Sequence, residues 1–250
     1  MLLAIDVGNT QTVFGLFDGA DLKEQFRVGT DPAHTADELA VMLRAFVDLG
    51  SLRGVVLSTT VPPLQREYEL FAERWARAEL LVLGPGVSTG IALRYDDPRE
   101  LGPDRIANAV AARERHGAPA IVVDFGTSTN FDVVSPFGEY VGGVLAPGIE
   151  ISMDALFARA ARLTRVPFTA PEHVIGKTTV SALQSGLVYG FAGQVDAIVA
   201  RIREELGAPD APAIATGGLA ELIAPHSQTI TAIDPELTLH GLRLVWERNR

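Results

Sequence analysis

The 250-residue sequence contains no cysteine, which excludes disulfide bonds, thiolate metal sites and cysteine nucleophiles. It has no apolar run near the ~20 residues that cross a bilayer, and its first strand soon meets a charge at Asp6. The chain is therefore expected to have neither a membrane span nor a secretion signal. The five histidines are scattered, and no two stand at a metal-ligand spacing. These absences favour a cytoplasmic protein with no membrane partner.

Positive charge is also scarce, because 21 Lys and Arg stand against 31 Asp and Glu, for a net charge of −10. Nucleic-acid binding draws most of its strength from basic side chains that neutralise phosphates, and no Lys or Arg cluster stands out. A nucleic-acid partner is therefore not expected. An anionic ligand would depend on backbone N–H groups, a few placed cations and a metal ion.

A strand–turn–strand pattern occurs twice in the chain. In the first copy an apolar run ends at Asp6–Thr10, and in the second an apolar run ends at Asp124–Thr129; another apolar run follows each. The two aspartates are 124 − 6 = 118 residues apart, about half of the chain. A repeat of that length indicates duplicated domains rather than a solenoid, whose unit would be roughly 20–50 residues.

Each of the two turns has the groups that a phosphate needs: a glycine for close backbone approach, turn N–H donors and a hydroxyl. A carboxylate at Asp6 or Asp124 would repel a bare phosphate, which indicates a bridging cation such as Mg²⁺. Asp-x-Gly-Asn at a strand end is by itself most often a simple turn. Two copies are more specific, because they can face each other across a cleft and grip a polyphosphate from both sides.

Hydrophobic periodicity predicts the order β-β-β-α-β-α-β in each half, with crossover units that require parallel pairing. We expect two domains, residues 1–117 and 118–250. In the second half, a helix is predicted to run from Ile149 to Leu163. The longest predicted helix spans Val180 to Leu206.

The long helix predicts a homodimer. Its apolar residues lie on several sides, and one domain of this size rarely covers a helix all round. Gly186, Gly190 and Gly193 form a smooth stripe that would let two such helices approach closely across a two-fold axis. The alternative is that these glycines pack only inside their own domain.

Pro103 follows Gly102 and begins an alanine-rich helix, with Asp104 and Arg105 in its first turn. The simpler interpretation of Asp104 is structural, since an aspartate there complements the helix dipole by about 0.3–1 kcal/mol. The other interpretation is a catalytic carboxylate, and the local pattern leaves both open. In either case a helix start is expected to lower the pKa of Asp104.

Taken together, the motifs resemble those of the type III pantothenate kinases, within the acetate and sugar kinase/Hsp70/actin superfamily. The resemblance runs nearly end to end. It rests on five motifs in the family's order: Asp6–Thr10, Gly102–Asn108, Asp124–Thr129, Gly142–Gly148, and Gly176–Thr179 with Ser185 and Gly186. Ser128 stands where Ala is expected and Asn130 where Thr is common. Both are small or polar, so the phosphate role is retained.

The resemblance implies an actin-like ATPase fold, an α/β architecture of two duplicated ribonuclease H-like domains facing across a nucleotide cleft. The implied activity is ATP-dependent phosphorylation of pantothenate to 4′-phosphopantothenate, the first step of coenzyme A biosynthesis. The implied ATP-binding residues are Asp6, Val7, Gly8, Asn9, Thr10, Gln11, Thr12, Val13 and Thr127. The implied pantothenate-binding residues are Tyr95, Gly102, Pro103, Asp104, Arg105 and Thr179.

In this family pattern Asp104 is the proton acceptor. The resemblance also implies Mg²⁺ with the ATP, near Asp6 directly or through water, and a monovalent cation, K⁺ or NH₄⁺, at Asp124. Arg105 is the natural partner for the substrate carboxylate, because its guanidinium can bind a carboxylate through two hydrogen bonds. Thr179, at the start of the long helix, would reach the neighbouring subunit's pocket in a homodimer.

Three other functions remain open from the sequence. Another small-molecule kinase of the same fold would share the hairpins and the glycine-rich Thr216–Ala220, and would differ around Tyr95 and Asp104. A nucleotide-switched interaction protein, like actin or Hsp70, needs inserted subdomains for which 250 residues leave little room. An inactive relative acting as a regulatory factor is the third, because the fold alone does not decide function.

Overall fold

The computed structural model describes residues 1–160 and 165–250. These residues form two compact units, Met1–Ala111 with Leu237–Arg250, and Ala112–Glu236. Each unit is built on one five-stranded mixed sheet. The predicted boundary at 117/118 differs from this division mainly in the last helix, which packs on the first sheet rather than the second.

The elements follow the order expected from the periodicity of the sequence. The strands are β1 Leu2–Val7, β2 Gln11–Asp18, β3 Asp21–Gly29, β4 Gly54–Thr59, β5 Glu79–Val82, β6 Ala120–Phe125, β7 Ser128–Val134, β8 Tyr140–Pro147, β9 Ala213–Thr216 and β10 Ile230–Ile233. The α-helices are α1 Ala36–Leu43, α2 Pro62–Phe71, α3 Pro103–His116, α4 Ile149–Arg159, α5 Thr179–Leu206, α6 Ala220–Ile223 and α7 Leu237–Arg248.

The first sheet has the order β3-β2-β1-β4-β5. Strand β1 pairs antiparallel with β2 and parallel with β4, so that Asp6 lies opposite Val13 on one side and Ser58 on the other. The crossover helices α1 and α2 bury Leu39 and Phe71 in the core of this unit. Asp6 therefore lies near the end of a central strand, which is hydrogen-bonded to β2 on one side and to β4 on the other.

The second sheet repeats this topology as β8-β7-β6-β9-β10. Asp124 on β6 lies opposite Asn130 of antiparallel β7 and opposite Thr216 of parallel β9. Asp6 and Asp124 thus occupy the same position in their two sheets. The predicted duplication of a β-β-β-α-β-α-β unit is confirmed, with two helices, α4 and α5, in the first crossover of the second copy.

Helix α5 begins one residue earlier than predicted, and Thr178 caps it by accepting a hydrogen bond from the Ser181 N–H at 3.1 Å. It buries one face in its own unit, with Val188, Val195 and Val199 at its centre. The predicted helix that includes Leu163 is observed as α4, but Leu163 itself lies outside the described residues. Within the described ranges, none of the helices combines the length and hydropathy that a membrane crossing requires.

Candidate active site

The turn between β1 and β2 presents backbone and small polar side chains. The Gly8 N–H donates to the Gln11 carbonyl at 3.0 Å and closes the turn. Asn9, Thr10 and Gln11 are exposed, whereas Thr12 is buried beneath them. A Cβ at Gly8 would lie 3.0 Å from the Gln11 carbonyl oxygen, so a larger residue would crowd the turn. An exposed turn with a glycine and small polar residues suits an anion such as phosphate.

The turn between β6 and β7 has the same construction. The Gly126 N–H donates to the Ser128 carbonyl at 3.0 Å, and Gly126 and Thr127 are exposed. Two glycines from other elements approach this turn closely. A Cβ at Gly148 would overlap the carbonyl oxygen of Thr127 and lie 2.7 Å from that of Gly126. Gly148, which begins α4, therefore fixes how far the turn can move on that side.

The second glycine is Gly217, which follows β9 and has a φ of +89°. A Cβ at this position would lie 2.5 Å from Asp124 Oδ1 and 2.7 Å from the Phe125 backbone nitrogen. Both the positive φ and the lack of space require glycine here. The backbone of the glycine-rich Thr216–Ala220 turn thus lies against the Asp124 carboxylate at Gly217.

Asp104 lies in the first turn of α3. The Gly102 carbonyl accepts hydrogen bonds from the N–H groups of Arg105 at 3.1 Å and Ile106 at 3.3 Å, which anchors the helix start. A Cβ at Gly102 would overlap Asp104 Oδ1, so the carboxylate lies directly over the glycine. Asp104 Oδ1 is buried and has no hydrogen-bond partner among the described atoms.

Burial raises the pKa of Asp104, and this effect outweighs the Arg105 N–H and the Arg105 charge, which act to lower it. The expectation of a lowered pKa was therefore wrong. The helix start does act in the expected direction, but removing the carboxylate from water is the larger effect. A buried acceptor without a partner is costly for folding, whereas it suits a group that receives a proton from a bound hydroxyl.

The other predicted pantothenate residues fall into two groups. Tyr95, Gly102, Pro103 and Arg105 belong to the first unit with Asp104; Tyr95 is half-buried, and Arg105 is 7% exposed. Thr179 belongs to the second unit, where it is exposed in the first turn of α5.

The neighbours of Thr179 in its motif have local structural roles. A Cβ at Gly176 would overlap the Ala182 backbone, and Ser185 Oγ donates to the Val174 carbonyl at 2.6 Å. Thr178 caps the helix, as described above. The other two polar residues of the motif, Lys177 and Thr179, have exposed side chains at the start of α5.

No cluster of three or more His, Asp or Glu side chains that could hold a metal ion is found in residues 1–160 and 165–250. One carboxylate precedes each turn, Asp6 on β1 and Asp124 on β6. Mg²⁺ commonly binds one or two carboxylates together with phosphate oxygens and water, and these residues fit that pattern.

Comparison with known proteins gives a consistent picture. A family model described as type III pantothenate kinase matches residues 2–201. A type III pantothenate kinase of Frankia alni is 56% identical over 250 residues, covering all of both chains. One of Myxococcus xanthus is 52% identical over 254 residues, covering 100% of this chain and 99% of its own.

Solved structures share the fold at low identity. A protein described as a Baf family transcriptional activator, from Campylobacter jejuni, is 19% identical with a TM-score of 0.65, covering 99% of this chain and 98% of its own. Component A of (R)-2-hydroxyglutaryl-CoA dehydratase from Acidaminococcus fermentans is 13% identical with a TM-score of 0.57, covering 98% and 95%. These similarities confirm the expected actin-like ATPase fold.

Proposed function

The chain belongs to the type III pantothenate kinase family, and on this premise we propose how its residues carry out the reaction. The enzyme phosphorylates pantothenate in an ATP-dependent reaction of coenzyme A biosynthesis. The observation that best supports the site assignment is Asp104 Oδ1, a buried carboxylate oxygen at a helix start with no hydrogen-bond partner among the described atoms.

The two hairpins bind the ATP phosphates in this proposal. Backbone N–H groups of Asn9–Gln11 and the Thr127 hydroxyl supply donors, and Asp6 lies near the Mg²⁺ that accompanies the nucleotide. Mg²⁺ bound there would neutralise negative charge on the phosphates. Phosphoryl transfer needs mainly positioning and charge stabilisation, which both hairpins supply from rigid strand ends.

Pantothenate binds beside the start of α3 in this proposal. The Arg105 guanidinium pairs with the substrate carboxylate, and Tyr95 and Gly102–Pro103 line the pocket. Asp104 accepts the proton of the 4′-hydroxyl as that oxygen attacks the terminal phosphorus of ATP. Its raised pKa favours this role, because a carboxylate with a higher pKa is a stronger base.

A substrate panel tests this assignment against other kinases of the same fold. ADP release is measured with ATP and Mg²⁺ plus pantothenate, N-acetylmannosamine or acetate. We expect rapid release with pantothenate alone, since only that substrate carries both the carboxylate and the primary hydroxyl that Arg105 and Asp104 require. Turnover of the sugar or acetate without turnover of pantothenate would reject the assignment, and ATP binding without any turnover would favour a regulatory protein.

A monovalent cation at Asp124 leads to a second prediction. Activity measured in K⁺ should fall by about an order of magnitude in Na⁺, equal to roughly 1.4 kcal/mol of differential stabilisation. The reason is that the Asp124 carboxylate would repel bound phosphates unless a cation lay between them, and Na⁺ is smaller than the K⁺ for which this site is proposed. The measurement is kcat/KM in matched chloride salts. Asp124→Asn should remove most of the difference, and equal wild-type rates in the two salts would reject the cation site.

We also propose that the enzyme is a homodimer formed through α5. A Cβ added at Gly186, Gly190 or Gly193 meets nothing within 4 Å, so the glycine stripe is exposed rather than packed inside its unit. Exposed apolar side chains lie nearby in sequence, with Ile175 at 83% and Val180 at 45% exposure. A smooth stripe beside apolar side chains suits close packing of two identical helices.

Mixed subunits test whether such a dimer shares its pockets. Asp104→Asn and Thr179→Val proteins should each be nearly inactive, and a mixture that exchanges subunits should regain part of the activity. Recovery is expected because one pocket of the mixed dimer would receive both intact residues. Activity is measured before and after exchange, which is followed by native mass spectrometry. If exchange is complete and activity does not return, Thr179 and Asp104 serve the same chain's site.

A further inference from the structure

Thr30, the residue directly after β3, holds two carbonyl groups of the turn between β1 and β2. Its Oγ1 donates to the Gly8 carbonyl at 2.7 Å, and its backbone N–H donates to the Thr10 carbonyl at 3.0 Å. Thr30 Oγ1 also lies 2.9 Å from the Oγ1 of Thr12, a buried residue of β2. Thr30 therefore contacts the hairpin through both its side chain and its backbone.

Two further carbonyl groups beside this turn are held by the protein as well. The Gln11 carbonyl accepts from the Gly8 N–H at 3.0 Å, and the Val7 carbonyl accepts from the Thr60 N–H at 3.1 Å and from its Oγ1 at 3.2 Å. Carbonyl and phosphate oxygens are both acceptors, so a carbonyl that faced a phosphate would repel it and gain no hydrogen bond. The turn suits a phosphate only while these carbonyls keep their protein partners.

The matching position in the second unit is Gly148. β3 ends at Gly29 and β8 ends at Pro147, and each of these residues pairs with the first residue of the strand that follows the turn. The next residues in the chain, Thr30 and Gly148, therefore correspond. A Cβ at Gly148 would overlap the Thr127 carbonyl oxygen. The residue after the third strand thus lies against the turn in both copies, through a hydroxyl in the first and as a glycine in the second.

The position of Thr30 is itself fixed by the chain on both sides. β3 precedes it, and Asp31 closes a turn after it, because Asp31 Oδ1 accepts from the Ala33 N–H at 2.9 Å and the Asp31 carbonyl accepts from the His34 N–H at 3.1 Å. Thr35 then caps α1. The Thr30 hydroxyl can therefore hold Gly8 without a further loss of backbone entropy.

The bond to the Gly8 carbonyl also determines the direction of a donor. The Gly8 carbonyl and the Asn9 N–H belong to one peptide group, which is planar and trans, so that the two point in opposite directions. Because the carbonyl is directed at Thr30, the Asn9 N–H is directed away from Thr30. Asn9 is exposed, as a residue that contacts a ligand must be.

We propose that Thr30 is a positioning residue for ATP, whose hydroxyl holds the Gly8–Asn9 peptide with its N–H toward the phosphates. This inference rests on the proposed function, because it takes the Asp6–Val13 hairpin to bind ATP phosphates. Without the Thr30 hydroxyl the peptide is free to rotate, which exchanges a donor for an acceptor at the phosphate. Thr30 itself does not contact the nucleotide in this proposal.

The test is the Kd of ATP with Mg²⁺, measured by calorimetry on the full chain. Thr30→Val keeps the shape of the side chain and the bond from the backbone N–H, and it should weaken ATP binding about tenfold, the scale of one lost hydrogen bond. The KM for pantothenate should stay within about twofold of the wild type. Thr30→Ser, which keeps the hydroxyl, should bind ATP within about twofold of the wild type.

Thr231→Val is the matched control, since Thr231 Oγ1 donates to the Ala213 carbonyl at 3.1 Å in the second unit. It makes the same substitution at the same kind of hydrogen bond and should leave the Kd of ATP unchanged. A role of Thr30 in stability alone would lower the melting temperature of Thr30→Val and leave its Kd unaltered, which would overturn the proposal. An equal loss of affinity in Thr30→Ser would also overturn it, because the hydroxyl would then not be the group that matters.

The Asn9 amide gives a second measurement, which needs no variant. Its proton signal in the NMR spectrum of the wild type should move downfield when ATP and Mg²⁺ are added, as expected for an N–H that donates to a phosphate. An Asn9 signal that does not move, in a chain that binds ATP, would overturn the proposal. In Thr30→Val saturated with ATP, the shift should be smaller than in the wild type.

Failure of this inference differs from failure of the proposed function. A wild-type enzyme that phosphorylates pantothenate normally, with unchanged ATP affinity in Thr30→Val, rejects the positioning role only. A wild-type chain that does not bind ATP rejects both.

Discussion

Asp104→Asn is expected to lower kcat for pantothenate phosphorylation by roughly 10²–10⁴, while the Kd of ATP stays close to that of the wild type. The amide keeps the size of the side chain and cannot accept the hydroxyl proton. ATP binding is retained because the proposed phosphate contacts lie on the hairpins and not on α3. The measurements are steady-state kinetics and ATP calorimetry, and near-normal turnover would restore the helix-dipole role as the whole function of Asp104.

The same variant has a second signature, in stability. The folded-state pKa of Asp104 is raised above 3.8 by burial, so its ionised form costs stability at neutral pH, and this cost disappears as the pH falls below 3.8. Asp104→Asn should therefore melt at a higher temperature than the wild type at pH 7. In the wild type, kcat/KM should fall on the acid side at a pH above the ordinary aspartate value, as Asp104 takes up its proton.

Asp196→Asn provides the matched control with the opposite sign. Burial acts to raise the pKa of Asp196, but hydrogen bonds from Ser227, Gln228 and Thr229 outweigh it and lower the pKa. Asp196 therefore contributes stability at neutral pH, which is lost as the pH falls through its lowered pKa. Its amide variant should melt at a lower temperature with kcat unchanged. A lower melting temperature for Asp104→Asn would contradict the burial argument.

Gly148→Ala is expected to weaken ATP binding by about 5–150-fold, which corresponds to about 1–3 kcal/mol for an extra methyl group in a filled space. The added Cβ overlaps the Thr127 carbonyl, and that backbone cannot yield without moving the turn between β6 and β7. The melting temperature should fall as well, and the KM for pantothenate should change less than the Kd for ATP.

Gly84→Ala is the control for the glycine substitution, because a Cβ at Gly84 meets nothing within 4 Å. It should leave the Kd of ATP and the melting temperature close to wild-type values. If Gly148→Ala instead binds ATP normally, the start of α4 moves in place of the turn, and Gly148 does not position Thr127.

The parts of the site that were predictable from sequence are local. Each hairpin combines two adjacent apolar runs with a glycine-containing turn, and its register follows from the turn itself. The start of α3 was equally clear, since Gly102 and Pro103 are a standard helix beginning. In these places the signal and the structure it specifies lie within a few residues of each other.

The parts that were missed depend on contacts between distant residues. The pKa of Asp104 has the opposite direction because burial, a tertiary property, outweighs the helix start. The last helix joins the first unit, where the Trp246 ring leaves no space for a Cβ at Gly54. Thr30 belongs to no motif, and only the folded chain places its hydroxyl against the Gly8 carbonyl.

Identification of the reaction product tests the central claim most directly. Purified protein is incubated with ATP, Mg²⁺, K⁺ and pantothenate, and the product is analysed by mass spectrometry and by phosphorus–proton correlation in NMR. We predict a single product that has gained one phosphoryl group on the 4′-oxygen. ATP consumption without phosphorylated pantothenate, or a phosphoryl group on the carboxylate instead of the 4′-oxygen, would contradict it.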